Sequence, residues 1–596
     1  MNKGWMSARA LGAALAAGLA LSAAPAARAA CELKTFEIPV RMVGARPVAT
    51  LTLNGVEVPM LVDSGAFYSM LAPSTAEQLQ LPKLNLPDGL RLVGYTGRIE
   101  AYRTRVDKVG LLGGTLSKLE FIVGGNEIGG GIMGVLGRNI LSAGDTEYDL
   151  AHGVVRLMFP KGDCAKVDMA YWAPKEAPVV VVPLETDGLN ENHQVRVRAR
   201  VNGTGLFALM DTGAPKTSLT LGAALRVGLK KDDLTELGRT GGAGQGQVRA
   251  WTGRFASFEL GGERVGNNVF QVDDTTAFDD DMLLGLDYFL SHRILVSRTQ
   301  RQVYITWNGG AVFAQGTDRA GTYDTRLAVV PKGPADDDAD GLARRGAAAL
   351  AAGDTTRALA DLDRAIALAP TVAGHFLVRA RIHLEKDDAG RALADLDQAL
   401  ALDPALADAR IARAAARLRA GNGEQASADL ARLDADLPPS SHLRARMARV
   451  YLGLAREPEA LRQWTLWIDT HPKDAGLASA LNERCWLRTR RGEDLARALE
   501  DCRAAVDKDG DSAEYRDSLG WTYLRLNDAA RARRAFDQAL ERKALAWSLY
   551  GRGLALRRLD DARQAERDLE AARRLTPDID EAVRAMGFEA LLVKAP

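Results

Sequence analysis

Four prolines, Pro370, Pro404, Pro438 and Pro472, stand 34 residues apart, and that interval constrains the chain more than any other feature of it. Twelve residues before each proline comes an alanine (Ala358, Ala392, Ala426, Ala460), and eight before come Leu362, Leu396, Leu430 and Trp464. Twenty-four before stand Gly346, Ala380, Ala414 and Ala448, small residues where two helices must approach closely. A period of this length is one helical hairpin, which cannot bury its apolar face alone and has to stack on copies of itself. The register runs on through Ala498 and Cys502, then Gly520, Ala532 and Phe536, then Gly553, Ala565, Leu569 and Pro577.

Small, aromatic and proline positions in this order resemble the tetratricopeptide repeat. About seven repeats are expected over residues 341–577, with a capping helix and tail over 578–596. The resemblance implies a solenoid whose groove binds protein segments. Cys485 and Cys502 then fall on the two helices of the fifth repeat, where a disulfide would join them.

Composition shifts near residue 330. Residues 30–330 carry 31 basic and 33 acidic side chains, against 43 and 44 in the shorter stretch 331–596. The first part is rich in Gly, Val and Thr in short alternating runs, which is the signal of strands and turns. Residues 309–340, with Gly309-Gly310, Pro331, Pro334 and Asp336-Asp337-Asp338, read as a linker.

Inside the β-rich part lies a second, longer repeat. Val-Ala-Thr-Leu-Thr-Leu-Asn-Gly-Val-Glu-Val-Pro-Met-Leu-Val-Asp-Ser-Gly-Ala ends at Ala66, and a matching strand, Asn-Gly turn, strand and Asp-Thr-Gly-Ala ends at Ala214. Asn54 and Asn202, Asp63 and Asp211, Leu71 and Leu219, and Leu136-Gly137 and Leu284-Gly285 are all separated by 148. Tandem duplication accounts for this, with one domain over 31–162, a connector over 163–177 and a second domain over 178–308.

An apolar strand running into Asp-[Ser/Thr]-Gly-Ala, followed after 74 residues by two apolar residues and Gly, resembles the retropepsin-like aspartic proteases. The fold class expected is therefore two all-β retropepsin-like (acid protease) domains in tandem, then an all-α repeat solenoid. One such domain supplies one carboxylate and the chemistry needs two, one ionised to take a proton from water and one protonated to hold the scissile carbonyl. The resemblance implies that Asp63 and Asp211 pair as the catalytic residues. It also implies that Ser64 and Thr212 hydrogen-bond across the pseudo-twofold axis, that Gly65 and Gly213 permit the turn beside Ala66 and Ala214, and that Leu136-Gly137 and Leu284-Gly285 form the second motif. Arg138-Asn139 against Leu286-Asp287 is a departure that makes unequal contacts on the two sides. Flap candidates are Val93-Gly94-Tyr95-Thr96-Gly97 and 238–246; the latter lacks GxGxxG order and is no nucleotide cradle.

Residues 1–29 read as an export signal, with Lys3, Arg9, an apolar run from Leu11 to Leu21 and an Ala27-Arg28-Ala29 cut site. Arg28 disfavours the alternative in which Cys31 is acylated. The expected compartment is the bacterial periplasm, where disulfides persist, and the regional grouping of four cysteines points to Cys31 with Cys164 and Cys485 with Cys502. No CxxC or HExxH occurs and the seven histidines are scattered, so no metal and no cofactor is expected. Without the signal the chain holds 74 basic and 77 acidic residues, which gives no pull toward nucleic acid, and no later run of 18 apolar residues provides for stable membrane insertion. The reading is an exported aspartic endopeptidase acting on a protein or peptide substrate, with a repeat groove for a protein partner. The alternative is a non-catalytic scaffold whose degenerate protease domains and repeats only bind.

Overall fold

The computed structural model describes residues 31–592 apart from 127, 130, 186–193, 245–246, 277–279, 314–328, 330–336, 473 and 475. Residues 1–29, expected above to be an export signal, and most of the linker segment lie outside the described residues. The chain divides into two compact units between Arg413 and Ala414.

Each β copy begins with a hairpin whose turn is written in the sequence. Pro47–Leu53 and Val56–Val62 are joined by Asn54 (φ 51°) and Gly55 (φ 88°), and Arg196–Val201 and Thr204–Met210 by Asn202 (φ 49°) and Gly203 (φ 78°). Left-handed backbone at both turn positions matches the twist of paired strands, and Asn-Gly tolerates it best. In the first copy the seven-stranded order is Arg41–Met42, Pro47–Leu53, Val56–Val62, Gly134–Leu136, Met70–Leu71, Gly114–Gly124, Ala101–Leu111. The second repeats it as Arg196–Val201, Thr204–Met210, Met282–Leu284, Ser218–Thr220, Glu263–Asp273, Val248–Leu260, with Thr235–Thr240 at the end. In each copy the first hairpin strand also pairs with the long strand (Thr52 with Gly110, Val201 with Phe258), which curls the sheet toward a barrel.

A six-stranded sheet welds the copies together: Glu32–Pro39, Val154–Lys161, Asp145–Asp149, His292–Ser297, Gln302–Trp307, Val180–Pro183. Read from either end, the order is the same, three strands from each copy about a central antiparallel pair of Thr146–Val296, Glu147–Leu295 and Tyr148–Ile294. Glu147, fully buried, is matched by Arg156 (2.5 Å) and Arg293 (2.8 Å). This sheet supplies the pseudo-twofold axis that makes one site from two acidic turns. Cys31 and Cys164 are disulfide-bonded beside its outer strand. The connector packs on the sheet, where Trp172 Nε1 donates to Thr306 Oγ1 (2.9 Å).

The second β domain extends past residue 308. Val312 and Phe313 are buried, with the Phe313 ring against Phe258, Phe270 and Tyr288, so this part of the linker segment belongs to the core. An apolar pair two residues after Gly-Gly carries no periodic signal, and only the cavity it fills reveals its place.

The helical part comprises seven hairpins: α1 (Ala339–Ala351) with α2 (Thr355–Leu368), α3 (Ala373–Glu385) with α4 (Ala389–Leu402), α5 (Ala407–Arg419) with α6 (Gly423–Asp436), and α7 (Leu443–Gly453) with α8 (Glu457–Thr470). They continue as α9 (Leu477–Arg491) with α10 (Leu495–Lys508), α11 (Ala513–Arg525) with α12 (Ala529–Leu540), and α13 (Ala546–Arg558) with α14 (Ala562–Leu575). The period works through close approach: a Cβ on Gly520 would lie 2.6 Å from the Phe536 ring, and one on Gly553 2.8 Å from Leu569. Asp354, Asp388, Asp528 and Asp561 cap the second helices, each accepting from the N–H three residues on. Helix α1 packs on the first β domain, its Arg344 Cβ lying 2.4 Å from where a side chain on Gly153 (φ 67°) would begin.

Candidate active site

The acidic turns follow the last residues of two apolar strands. Val62 pairs in parallel with Leu136 and Met210 with Leu284, both leucines fully buried, and the Asp63 and Asp211 N–H groups donate to Leu136 O (3.1 Å) and Leu284 O (2.9 Å). The second motif thus holds the first by backbone pairing. Gly137 and Gly285 are required by space, because a Cβ on either would sit 2.5 Å from the backbone of Tyr68 or Lys216.

Across the axis the turns interlock. The Ser64 N–H donates to Thr212 Oγ1 and the Thr212 N–H to Ser64 Oγ, both at 3.0 Å. Each hydroxyl then donates to the opposite strand, Ser64 Oγ to Met210 O (2.8 Å) and Thr212 Oγ1 to Val62 O (2.7 Å). Both side chains are buried, and each hydroxyl both accepts one hydrogen bond and donates another. The interlock brings the Asp63 and Asp211 carboxyls within mutual hydrogen-bonding reach.

Gly65 and Gly213 are needed for a different reason from the turn freedom expected of them. Neither has a positive φ, and a Cβ on Gly65 would lie 2.5 Å from Asp211 Cγ, one on Gly213 2.5 Å from Asp63 Cγ. Each glycine is the bed of the opposite carboxyl. The Gly65 and Ala66 N–H groups donate to Asp63 Oδ1 (2.8 and 2.7 Å), and the Gly213 N–H to Asp211 Oδ1 (2.8 Å).

Burial raises both carboxyl pKa values. Asp63 stands well above the ordinary range, from burial first and then from the Asp211 charge, with the Ala66 and Gly65 N–H groups opposing. Asp211 is raised by burial against the Gly213 N–H, the hydrogen bond with Asp63 and the charge of Arg138. The pair therefore holds one proton more strongly than two independent carboxylates would, and it titrates as a unit.

The departure at the second motif is narrower than the sequence implied. Asn139 Oδ1 accepts from the Ser69 N–H (2.7 Å) and Oγ (2.8 Å), and Asp287 Oδ1 from the Thr217 N–H (3.0 Å) and Oγ1 (2.6 Å). The position needs only an acceptor oxygen, which Asn and Asp both carry. What remains unequal is Arg138, buried at 4% exposure and stacked 5.4 Å from the Phe67 ring, against apolar Leu286. Burial holds its pKa down to about 10, and its charge acts on both acids.

The flap candidates meet. Leu92–Gly94 and Gly97–Ile99 form a hairpin whose Thr96 N–H donates to Ala243 O (2.9 Å), while Asn126 Nδ2 donates to Gly242 O (3.1 Å) and Gly244 O (2.8 Å). The half-buried Tyr95 hydroxyl donates to Asp273, and Thr275 Oγ1 to Tyr95 O (3.1 Å). Residues 245–246 of the second candidate lie outside the described residues. Asp273 and Asn126 carry no motif spacing, and only the pairing of strands from two copies brings them here. Among the described residues, no cluster of His, Cys, Asp and Glu could hold a metal ion.

Two barrels of one topology, interlocked at Asp-[Ser/Thr]-Gly turns about a shared sheet, define the acid-protease class. The family model described as aspartyl protease matches residues 49–140 and again 197–288, and that for the tetratricopeptide repeat matches 513–544. The chain carries two tandem aspartyl-protease-type domains followed by a tetratricopeptide repeat array. No curated protein matches it. Among solved structures it is similar to YrrB, a TPR protein with an unusual peptide-binding site (20% identity, covering 32% of this chain and 95% of that one, TM-score 0.28). It is also similar to a tetratricopeptide repeat protein from Parabacteroides merdae (15%, covering 43% and 99%, TM-score 0.32) and to PilF of Pseudomonas aeruginosa (15%, covering 36% and 97%, TM-score 0.30).

Proposed function

We propose that the chain is an aspartic endopeptidase whose active site is completed within one polypeptide, and that its repeat array binds protein partners. The observation that carries this reading is the reciprocal Ser64–Thr212 interlock, which holds Asp63 and Asp211 against each other's glycine. A turn kept only for its backbone shape has no use for two buried acids sharing a proton.

In this mechanism Asp63 and Asp211 share one proton: the protonated member hydrogen-bonds the scissile carbonyl, and the ionised member takes the proton from water as that water attacks. The flap tips exclude solvent, and Tyr95 anchors one of them through Asp273. We further propose export to an oxidising compartment, supported by the leader-like residues 1–29 and by two cystines.

Purified protein is incubated with an unfolded substrate between about pH 3 and 7, the range coupled carboxylates command. Asp63→Asn and Asp211→Asn are each expected to lower turnover by roughly 10²–10⁴-fold, the size of a general acid–base contribution. Undiminished cleavage by both variants would sink the assignment.

A further inference from the structure

Compared at their offset of 148, the two acid loops agree wherever a side chain holds the scaffold. Residues 63–66 match 211–214 with one hydroxyl residue in place of another, Ser69 matches Thr217, and Leu71 matches Leu219. Between these, Phe67 corresponds to Pro215 and Tyr68 to Lys216. A further difference, Met70 against Ser218, lies within paired strands.

The backbone at 67–68 and 215–216 does the same work in both copies. The Arg138 N–H donates to Ala66 O (2.9 Å) and the Leu286 N–H to Ala214 O (2.8 Å), and a Cβ on Gly137 or Gly285 would lie 2.5 Å from the carbonyl carbon of Tyr68 or Lys216. The shared scaffold therefore does not account for unlike side chains. Nor are they remote from the chemistry. Gly65 and Gly213 bed the two carboxyls, and with Cα atoms about 3.8 Å apart along a chain, Phe67 and Pro215 fall within about 8 Å of those beds and Lys216 within about 11 Å. An extended peptide advances about 3.4 Å per residue, so these positions meet side chains two or three residues from the scissile bond, one set on each side of it.

The two sets differ in chemistry. Phe67 is 38% exposed, its ring held by the Arg138 guanidinium at 5.4 Å and edge-on by Tyr68 at 4.4 Å, which makes a fixed aromatic platform that gains by being covered. On the other side Pro215 and Lys216 are exposed, and Lys216 brings a cation on a flexible stem. Behind it lies Asp287, whose pKa is raised by burial against the hydrogen bonds of Thr217, the Tyr288 N–H and the Lys216 charge.

We propose that Phe67 with Tyr68, and Lys216, set the specificity of the cleft, which takes a peptide with an aromatic or large apolar side chain on the first-copy side of the scissile bond and an acidic side chain on the second-copy side. The proposal rests on the endopeptidase reading and names its substrate class. A symmetric pair of acids cannot tell one end of a bound chain from the other, whereas unlike walls fix which end lies where.

The test gives the full-length chain internally quenched peptides with one cleavable bond, carrying Phe, Ala, Asp or Lys two or three residues from it on either side. Wild type is expected to prefer Asp to Lys on one side by roughly fivefold in kcat/KM, the size of an exposed ion pair, and Phe to Ala on the other by roughly tenfold, that of an aromatic contact. Lys216→Glu is expected to reverse the first preference, Lys216→Arg to keep it, and Phe67→Ala to abolish the second alone, with circular dichroism confirming that each variant folds. An Asp preference that survives Lys216→Glu would make Lys216 only the counter-charge of Asp287, and like preferences on both sides would make the halves equivalent; either result overturns the proposal. If no peptide is cleaved, fluorescein-labelled copies are measured for binding by anisotropy. A charge preference in binding that Lys216→Glu reverses would sustain the subsite while the endopeptidase reading fails, whereas binding without that reversal, or no binding, would overturn the proposal as well.

Discussion

At Asp63 and Asp211 chemistry and stability pull in opposite directions. Because burial and mutual repulsion raise the folded pKa above the unfolded value near 3.8, the native state binds more protons than the unfolded chain as pH rises past that value. The pair's contribution to stability is thus present below the unfolded pKa and falls as pH climbs through the raised folded one. Asp63→Asn is expected to raise the melting temperature of the β domains at pH 7, by roughly 2–4 °C per kcal/mol of repulsion removed, and to confer no gain at pH 3. A scanning-calorimetry series over pH checks both the sign and the window. Arg138 supplies the one-sided charge near the dyad. Arg138→Leu, which copies Leu286 of the second domain, removes a cation that favours the carboxylates. The acid limb of the pH–activity profile is therefore expected to move to higher pH, and an unmoved profile would show that Arg138 serves packing alone.

Among the elements, the hairpins are held by more than small residues at crossing points. Asp361, Asp395 and Asp568 lie buried three residues after the conserved-spacing alanines, and each meets an arginine sixteen residues earlier: Arg345, Arg379 (2.6 Å) and Arg552 (2.6 Å). These planar pairs join first helix to second within a hairpin. In a charge-rich helix their aspartates look like any solvent-facing acid, so the spacing was visible in the sequence and its meaning was not. Removing Asp395 takes two charge-assisted hydrogen bonds from Arg379 and leaves it Asp363, and Asp395→Ala is expected to cost about 1.5–3 kcal/mol in denaturant unfolding of the array. In α9 and α10 the bond between Cys485 and Cys502 adds a covalent link. For a loop of 17 residues it constrains the unfolded chain by roughly 3 kcal/mol.

Over the whole chain, covalent closure is longest between Cys31 and Cys164, 133 residues apart, which ties the ends of two neighbouring strands in the sheet uniting both barrels. By the same loop argument this bond is worth roughly 5 kcal/mol. Cys31→Ala with Cys164→Ala is expected to lower the β-domain transition, whereas Cys485→Ala with Cys502→Ala is expected to lower the array transition alone. Two calorimetric transitions that respond separately would check the division, and a single transition moved equally by both treatments would contradict it. Among the described residues no helix is long and apolar enough to cross a membrane.

The chain's sequence by itself determined its two architectures, because both are periodic and each period has a physical cause. A hairpin stacking every 34 residues needs small residues where Gly346 and Gly553 stand, and a duplicated turn needs Asn-Gly where the backbone turns left-handed at Asn54 and Asn202. The interlocking acid turns were legible too, since their residues recur at one offset of 148. Tertiary structure alone decided what has no partner in the pattern. Tyr95 reaching Asp273, Phe313 in the second barrel and Phe588 against Trp486 and Trp521 are single residues in unrepeated segments. Their places follow from which surfaces meet when the copies close and the tail turns at Gly587, and contact between distant segments leaves no mark on spacing along the chain.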